Sequence, residues 1–107
     1  MSFQALDLAL DAIRHLAPSL ATIAQHDPDL VRQLRRAAAS VALNLAEGRR
    51  RQGRDRLHLW RVAAGSAEEV VAALRVAEAF GYVAPGAIAP VLARCDRVLA
   101  ITWTLTR

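Results

Sequence analysis

Apolar residues recur at steps of three and four along most of the chain, and this spacing places them on one side of an α-helix. Four segments carry the pattern, at about residues 3–25, 27–48, 55–80 and 85–106. No segment alternates apolar and polar residues as a half-buried strand does. Because the connections are short, consecutive helices should run antiparallel. The sequence predicts an all-α fold, an up-down-up-down antiparallel four-helix bundle formed as a single domain by residues 1–107.

Five residues bear on where these helices begin, bend and pack. Asp27 followed by Pro28 is typical of an N-cap and a first helical position, so the second helix should begin there. Asp55 is a suitable cap for the third helix. Pro18 should kink or split the first helix, because it lacks an amide N–H. Gly65, in the middle of the third helix, is expected to let a neighbouring backbone come close.

The second helix is apolar on more than one side. Residues 37–46 read AAASVALNLA, with Ser40 and Asn44 as the polar exceptions. A helix that is apolar all round is normally buried all round, whereas a four-helix bundle covers one stripe of each helix. The second side, which includes Ala38, Ala42 and Leu43, should therefore meet another molecule. We interpret this pattern as a sign of self-association.

Polar residues also lie on this apolar helix. Antiparallel pairing places Asn44 and Glu47 opposite Ser66 and Glu69 of the third helix. A buried polar group without a hydrogen bond costs on the order of 2 kcal/mol or more. We expect Asn44, Glu47, Ser66 and Glu69 to form a structural polar network that fixes the register of the two helices. In an alternative interpretation, Glu47 positions one of the arginines that follow it.

Positive charge is concentrated directly after the second helix. Residues 49–61 contain six arginines and one aspartate, a net charge of +5, whereas the whole chain carries +4. A local excess of this kind is what an anion-binding surface requires. Arginine also binds phosphate through two parallel hydrogen bonds. The residues predicted to form a phosphate-binding surface are Arg35, Arg36, Arg49, Arg50, Arg51, Arg54 and Arg56.

The same arginines also fit a second interpretation, a solvated helix end. Positive charge near a helix C-terminus is favoured by the helix dipole, and the absence of lysine among the 14 basic residues fits a GC-rich genome. Trp60 is the one aromatic residue close to the arginines, so base stacking has little support. Any nucleic-acid contact should therefore run through phosphates and be largely independent of sequence.

Signals for catalysis and metal binding are weak. No glutamate is followed by histidine three positions later, as in di-iron bundles, and no glycine-rich phosphate loop occurs. Cys95 falls on the apolar stripe of the fourth helix and should be buried. His58, near Asp55 and Glu47, is the one candidate for acid–base chemistry; otherwise it is a junction histidine that faces solvent. We expect no enzymatic activity, no cofactor and no metal.

The location of the protein is also indicated by the sequence. A single cysteine allows no intrachain disulfide. Asp7 and Asp11 interrupt the N-terminal apolar run, and no run reaches the roughly 18 apolar residues of a membrane span. These features predict a cytoplasmic protein with no membrane partner.

Two long segments resemble a known family. They are residues 33–48, QLRRAAASVALNLAEG, and residues 58–83, HLWRVAAGSAEEVVAALRVAEAFGYV. Both are similar to the small four-helix-bundle proteins encoded by intervening sequences of bacterial 23S ribosomal RNA genes. That family's pattern is Leu-Arg-Arg-Ala, Asn-Ile-Ala-Glu-Gly, a polar or basic junction, Ala-x-Gly-Ser-x-x-Glu and Gly-Tyr-Ile. The match keeps this order and covers about half of the chain.

The resemblance carries its own expectations. It implies a bundle that assembles into a ring-like homopentamer, with no established enzymatic activity. It also implies kinship with the accessory variability-determinant proteins of diversity-generating retroelements, which work with a reverse transcriptase and nucleic acid through a basic surface. The expected partners are further copies of the chain, RNA or DNA, and a reverse transcriptase. The alternative is a protein-interaction scaffold whose arginines are solvated.

Overall fold

The computed structural model describes residues 3–107 and contains four α-helices: α1 (Gln4–Ala24), α2 (Pro28–Arg49), α3 (Gly53–Ala79) and α4 (Ala89–Thr106). No strand occurs within residues 3–107. Each helix packs against the next in the chain, and α4 closes the bundle by packing on α1. The bundle is 42 Å long and 22 Å across. The predicted all-α, four-helix fold is confirmed.

Two of the helix starts follow from proline chemistry. α2 begins as predicted: the Asp27 carboxylate accepts a hydrogen bond of 3.0 Å from the amide of Leu30, and Pro28 lies in the first turn. α4 begins at Ala89, later than the predicted residue 85. Pro90 then lies in the first turn of α4, where a missing amide N–H breaks no helical hydrogen bond.

The prediction that Asp55 caps α3 is wrong. The helix begins two residues earlier, at Gly53, whose φ of 60° lies in the region that favours glycine. Residues 50–52 connect the two helices, and Gly53 supplies the positive φ at the start of α3. Asp55 therefore lies within the first turn of α3. Its negative charge there still interacts favourably with the helix dipole.

α1 is not split by Pro18. The helix runs without a break from Gln4 to Ala24, so that part of the prediction is wrong. Both Pro18 and Arg14, the residue four positions earlier, are exposed. The carbonyl that loses its helical donor therefore faces water, which can satisfy it.

Two clusters of buried residues fill the bundle, one at each end. One surrounds Leu34 and Leu74, and the other surrounds Leu45 and Trp60. Many members of both clusters are alanines, which allow the helices to approach closely. We call the end where α2 meets α3, at residues 49–56, the arginine end. The opposite end, which carries His26, Phe80 and Tyr82, is called the aromatic end.

The second apolar side of α2 is covered within the subunit. Ala38 and Ala42 are each 8% exposed, so the prediction that they meet another molecule is wrong. The reason is that α2 packs against both α1 and α3, and its alanines bring both neighbours close. Leu43 differs, because 68% of it is exposed. On this side of α2, Leu43 rather than a whole helix face is therefore available to contact a partner.

Candidate nucleic-acid interface at the arginine end

Two contacts fix the pairing of α2 with α3. The hydroxyl oxygens of Ser40 and Ser66 are 2.8 Å apart, and the indole N–H of Trp60 donates to the carbonyl of Leu45 at 3.2 Å. From the first contact to the second, the residue number rises by five on α2 and falls by six on α3. The two helices therefore run antiparallel. Trp60 is 7% exposed, so its hydrogen bond is made inside the bundle. This register brings the arginines that flank the turn to one end of the molecule.

Gly48 and Arg56 close the junction from opposite sides. A Cβ on Gly48 would lie 2.6 Å from the ring of Trp60, so only glycine allows this approach. The guanidinium of Arg56 donates to the carbonyl oxygens of Gly48 and Arg49, at 3.1 and 3.0 Å. These carbonyls belong to the last turn of α2, where helical donors run out, and the Gly48 carbonyl also accepts the amide of Arg51 at 3.1 Å. The same guanidinium lies 5.3 Å from the centroid of the Trp60 ring.

Two further junction arginines interact within the protein. Nη2 of Arg51 lies 2.7 Å from a carboxylate oxygen of Glu47, and Nη1 lies 3.7 Å from Asp55. The hydrogen bonds that Arg51 donates to Glu47 raise the pKa of Arg51 above its usual value, and the charges of Glu47 and Asp55 act in the same direction. The guanidinium of Arg49 lies 5.5 Å from the centroid of the Phe3 ring. Arg51 thus faces two carboxylates, and Arg49 covers an aromatic ring.

Arg50 and Arg54 are arranged differently. Both are exposed, and neither side chain forms an ion pair or hydrogen bond with another residue in the described part of the chain. They lie on either side of the Gly53 turn. Arg35 and Arg36 are also exposed, but Arg36 lies 14 residues from Arg50, about 21 Å along α2. The structure therefore groups five of the seven predicted arginines and leaves Arg35 and Arg36 apart.

The polar network differs in membership from the one predicted. Nδ2 of Asn44 donates to the carbonyl and hydroxyl oxygens of Ser40, at 2.9 and 3.0 Å, and Ser40 in turn bonds to Ser66. Glu47 lies outside this network, because its carboxylate accepts hydrogen bonds from Arg51, which follows the end of α2. Glu69 is exposed and forms no hydrogen bond with another described residue. Sequence reasoning missed Ser40, the residue that links the two helices.

The geometry gives little support to acid–base chemistry at His58. The residue is exposed, and within residues 3–107 its side chain pairs with neither Asp55 nor Glu47, since both carboxylates face Arg51. Cys95 is buried, as predicted, and burial raises the pKa of its thiol to about 11. Among the described residues, no group of three His, Cys, Asp or Glu side chains is placed to hold a metal ion. None of the four helices is long and apolar enough to cross a membrane.

Sequence reasoning also missed two residues on the side of the arginine end formed by α3 and α4. Arg61 donates to the carbonyl oxygen of Thr106, and Trp103 is 66% exposed. Trp103 is off the apolar stripe of α4, and this was the available signal of its exposure. Gly65 lies in the groove between these helices, and no atom would lie within 4 Å of a Cβ placed there. The expectation that a backbone of this chain packs against Gly65 is wrong.

Comparisons with known proteins agree with this architecture. The chain matches the family described as 23S rRNA-intervening sequence protein over residues 3–103. Its structure is similar to the 1.70 Å crystal structure of a protein with unknown function from the S23 ribosomal protein family of Bacteroides thetaiotaomicron VPI-5482. The TM-score is 0.85 at 16% identity, over 96% of this chain and 98% of that chain, a likeness that shows the fold alone.

A search of curated proteins gave no match. The family match covers nearly all of the 107 residues, including both halves of the arginine junction. The chain therefore belongs to the 23S rRNA-intervening sequence protein family.

Proposed function

We propose that this protein binds nucleic acid through phosphate groups at the arginine end, without sequence preference and without catalysis. The observation that carries the proposal is the exposure of Arg50 and Arg54 on either side of the Gly53 turn, with no carboxylate partner among the described residues. Arg56 supports the same surface indirectly, since its guanidinium holds the turn in place.

The chemistry of this surface suits a phosphate backbone. A guanidinium presents a rigid fork of donors that matches two phosphate oxygens. The N-terminus of α3 adds to this, because Gln52 forms no side-chain cap and the first amides of a helix attract anions. Trp60 is buried, so it offers no surface for bases at the junction. Contacts limited to phosphates give binding that depends on salt rather than on sequence.

We further propose that copies of the chain assemble, with five as the number that the family resemblance implies. The support is a set of large apolar side chains left exposed on α2, on α3 and directly after α3: Leu43 (68%), Val62 (37%), Val76 (42%) and Phe80 (68%). Assembly would multiply the arginine ends and raise avidity for a polyanion. The alternative function is a scaffold, in which this apolar surface meets a different protein and the arginines are solvated.

A salt titration with RNA and DNA tests the phosphate site. For the native protein, log affinity should fall linearly with log salt. Changing Arg50 and Arg54 together to alanine should weaken binding to every sequence and reduce the slope by about two. The matched control changes Arg75 and Arg97, two exposed arginines away from the junction, and should bind almost as the native protein does. Equal binding by the Arg50 and Arg54 variant would contradict the proposal.

Light scattering tests assembly. Five chains of 11.6 kDa should give about 58 kDa, and changing Leu43 and Phe80 to serine should reduce the measured mass. A mass of one chain at micromolar concentration would contradict assembly. Capture of one other protein by the native chain, with no nucleic acid bound, would favour the scaffold.

A further inference from the structure

A groove lies between α3 and α4 at the arginine end, outside the junction described above. Its floor includes Ala64 and Gly65, with open space above Gly65, and Trp103 forms part of its wall. The molecule has two tryptophans in contrasting settings: Trp60 is 7% exposed and Trp103 is 66% exposed. Most of the Trp103 indole is therefore accessible to a ligand in the groove.

Positive charge leads from the junction into this groove. Arg54 and Arg61 are seven residues apart on α3, which is nearly two turns, so they lie on nearly the same side and about 10 Å apart along the helix. Arg61 uses one N–H to bond the Thr106 carbonyl and keeps its remaining donors. Arg107 also lines the groove. Arg61 contacts Thr106, and α3 and α4 run antiparallel. Trp103, three residues before Thr106, therefore lies at the same height in the bundle as Ala64, three residues after Arg61.

The positive path ends close to Trp103. Glu68 lines the groove seven residues beyond Arg61, about 10 Å further along α3, and its carboxylate repels phosphate. The arginines of the groove therefore lie between the junction and Trp103, and the acidic group lies on the far side. This order of charge, aromatic ring and opposing charge fits a short ligand that has phosphates at one end and a flat ring at the other.

We propose that this groove binds a single-stranded segment of nucleic acid, with one base stacked on Trp103 and the neighbouring phosphates on Arg54 and Arg61. The inference rests on the proposed function and specifies which form of nucleic acid the surface favours. Every base has a face that can stack on an aromatic ring, so the contact adds affinity without adding sequence preference. A duplex keeps its bases paired and stacked, so it offers no base to Trp103.

The test compares three ligands: a single-stranded oligonucleotide, a duplex of the same length, and inorganic polyphosphate. Changing Trp103 to alanine should weaken binding of the single strand about tenfold. Binding of the duplex and of polyphosphate should not change, and the salt slope should stay the same. Trp103→Phe should keep most of the affinity, because phenylalanine also stacks. The matched control is Leu10→Ala, which shortens an exposed apolar side chain on α1, away from the groove, and should have no effect.

Fluorescence gives a second measurement. Single-stranded oligonucleotide should quench emission from exposed Trp103, and polyphosphate should not. The inference is overturned if Trp103→Ala binds the single strand as the native protein does, or if the substitution lowers the mass in light scattering, which would make Trp103 a contact between copies. If Arg50→Ala/Arg54→Ala loses polyphosphate while Trp103→Ala has no effect, this inference fails and the proposed function stands.

Discussion

The two ends of the bundle both carry aromatic rings, but they use them differently. At the arginine end, Arg49 lies over Phe3 and Arg56 lies over Trp60, and these two rings lie 5.4 Å apart. At the aromatic end, the rings of His26, Tyr82 and Phe80 stack on one another with centroids 5.0 and 5.2 Å apart. No arginine lies over these rings in the described structure.

This difference shows how one end of a small bundle can combine stability with exposed charge. Arg56 and Arg49 contact carbonyls or rings of the junction itself, and Arg50 and Arg54 remain in solvent beside them. The first pair stabilises the turn that positions the second. At the aromatic end the rings stack on each other, Tyr82 also packs against the core, and Phe80 remains 68% exposed. We expect substitutions to affect stability strongly at the first end and weakly at the second.

The largest contrast should come from the tryptophan of one end and the phenylalanine of the other. Trp60→Ala should lower the free energy of unfolding by about 3–5 kcal/mol, because it leaves a cavity and removes the hydrogen bond from the indole N–H to the Leu45 carbonyl. Phe80→Ala should change it by less than about 0.5 kcal/mol, because most of the ring is exposed. Urea denaturation followed by circular dichroism measures both. Similar losses in the two variants would show that the ends are equally important for stability.

The next contrast concerns two helical glycines. Gly48→Ala should destabilise the protein by about 1–3 kcal/mol, because the added methyl overlaps the Trp60 ring. Gly65→Ala is the matched control, in which the methyl enters open space and the better helix propensity should add up to about 1 kcal/mol. Thermal unfolding of the two variants measures whether each substitution stabilises or destabilises the protein. A more stable Gly48→Ala would mean that the ring moves aside at little cost.

A smaller difference in stability is expected between an arginine that bonds within the junction and one that faces solvent. Arg56→Ala should cost about 1–2 kcal/mol of stability, because the Arg49 carbonyl and the Trp60 face lose the guanidinium and the Gly48 carbonyl keeps only its backbone donor. Arg54→Ala should leave stability within about 0.5 kcal/mol and weaken polyanion binding. Unfolding and binding measured on the same samples separate these effects. If Arg56→Ala lost polyanion binding without losing stability, Arg56 and Arg54 would have the same role in binding.

The smallest effect should come from the carboxylate that faces Arg51. Glu47→Gln removes a negative charge and releases Arg51 from its strongest partner, so affinity for polyphosphate at low salt should rise several-fold. Glu78→Gln makes the same charge change at the exposed end of α3 and should change affinity less. Isothermal titration calorimetry measures the affinity of both variants for polyphosphate. Unchanged affinity in Glu47→Gln would indicate that Arg51 does not take part in the surface.

The fold was predictable because its determinants are local. Helical spacing and the Asp27–Pro28 start can be read directly from the sequence, and the structure has both. The predictions that were wrong concern residues whose environment depends on the packing of the helices. The exposure of Pro18 decides whether it breaks α1, and the approach of α1 and α3 decides whether Ala38 and Ala42 are covered.

The candidate site was only partly predictable. Clustering of arginines in sequence indicated the junction, but it could not show that Arg56 bonds to carbonyls while Arg54 faces solvent. That difference depends on the turn at Gly53, which sets the position of each side chain. Trp103 is distant from the junction in sequence, and only the packing of α4 on α3 brings it near Arg61. The network through Ser40 likewise required the register of two helices.

Pro18 has a consequence for the motion of α1. Its ring removes one amide from the hydrogen-bond ladder on the solvent side, so the last two turns of the helix are joined to the earlier turns by one bond fewer. Buried Ile23 holds these turns to the core. Transient opening of the segment from Pro18 to Ala24 should therefore let its amides exchange with deuterium sooner than those near Ala9.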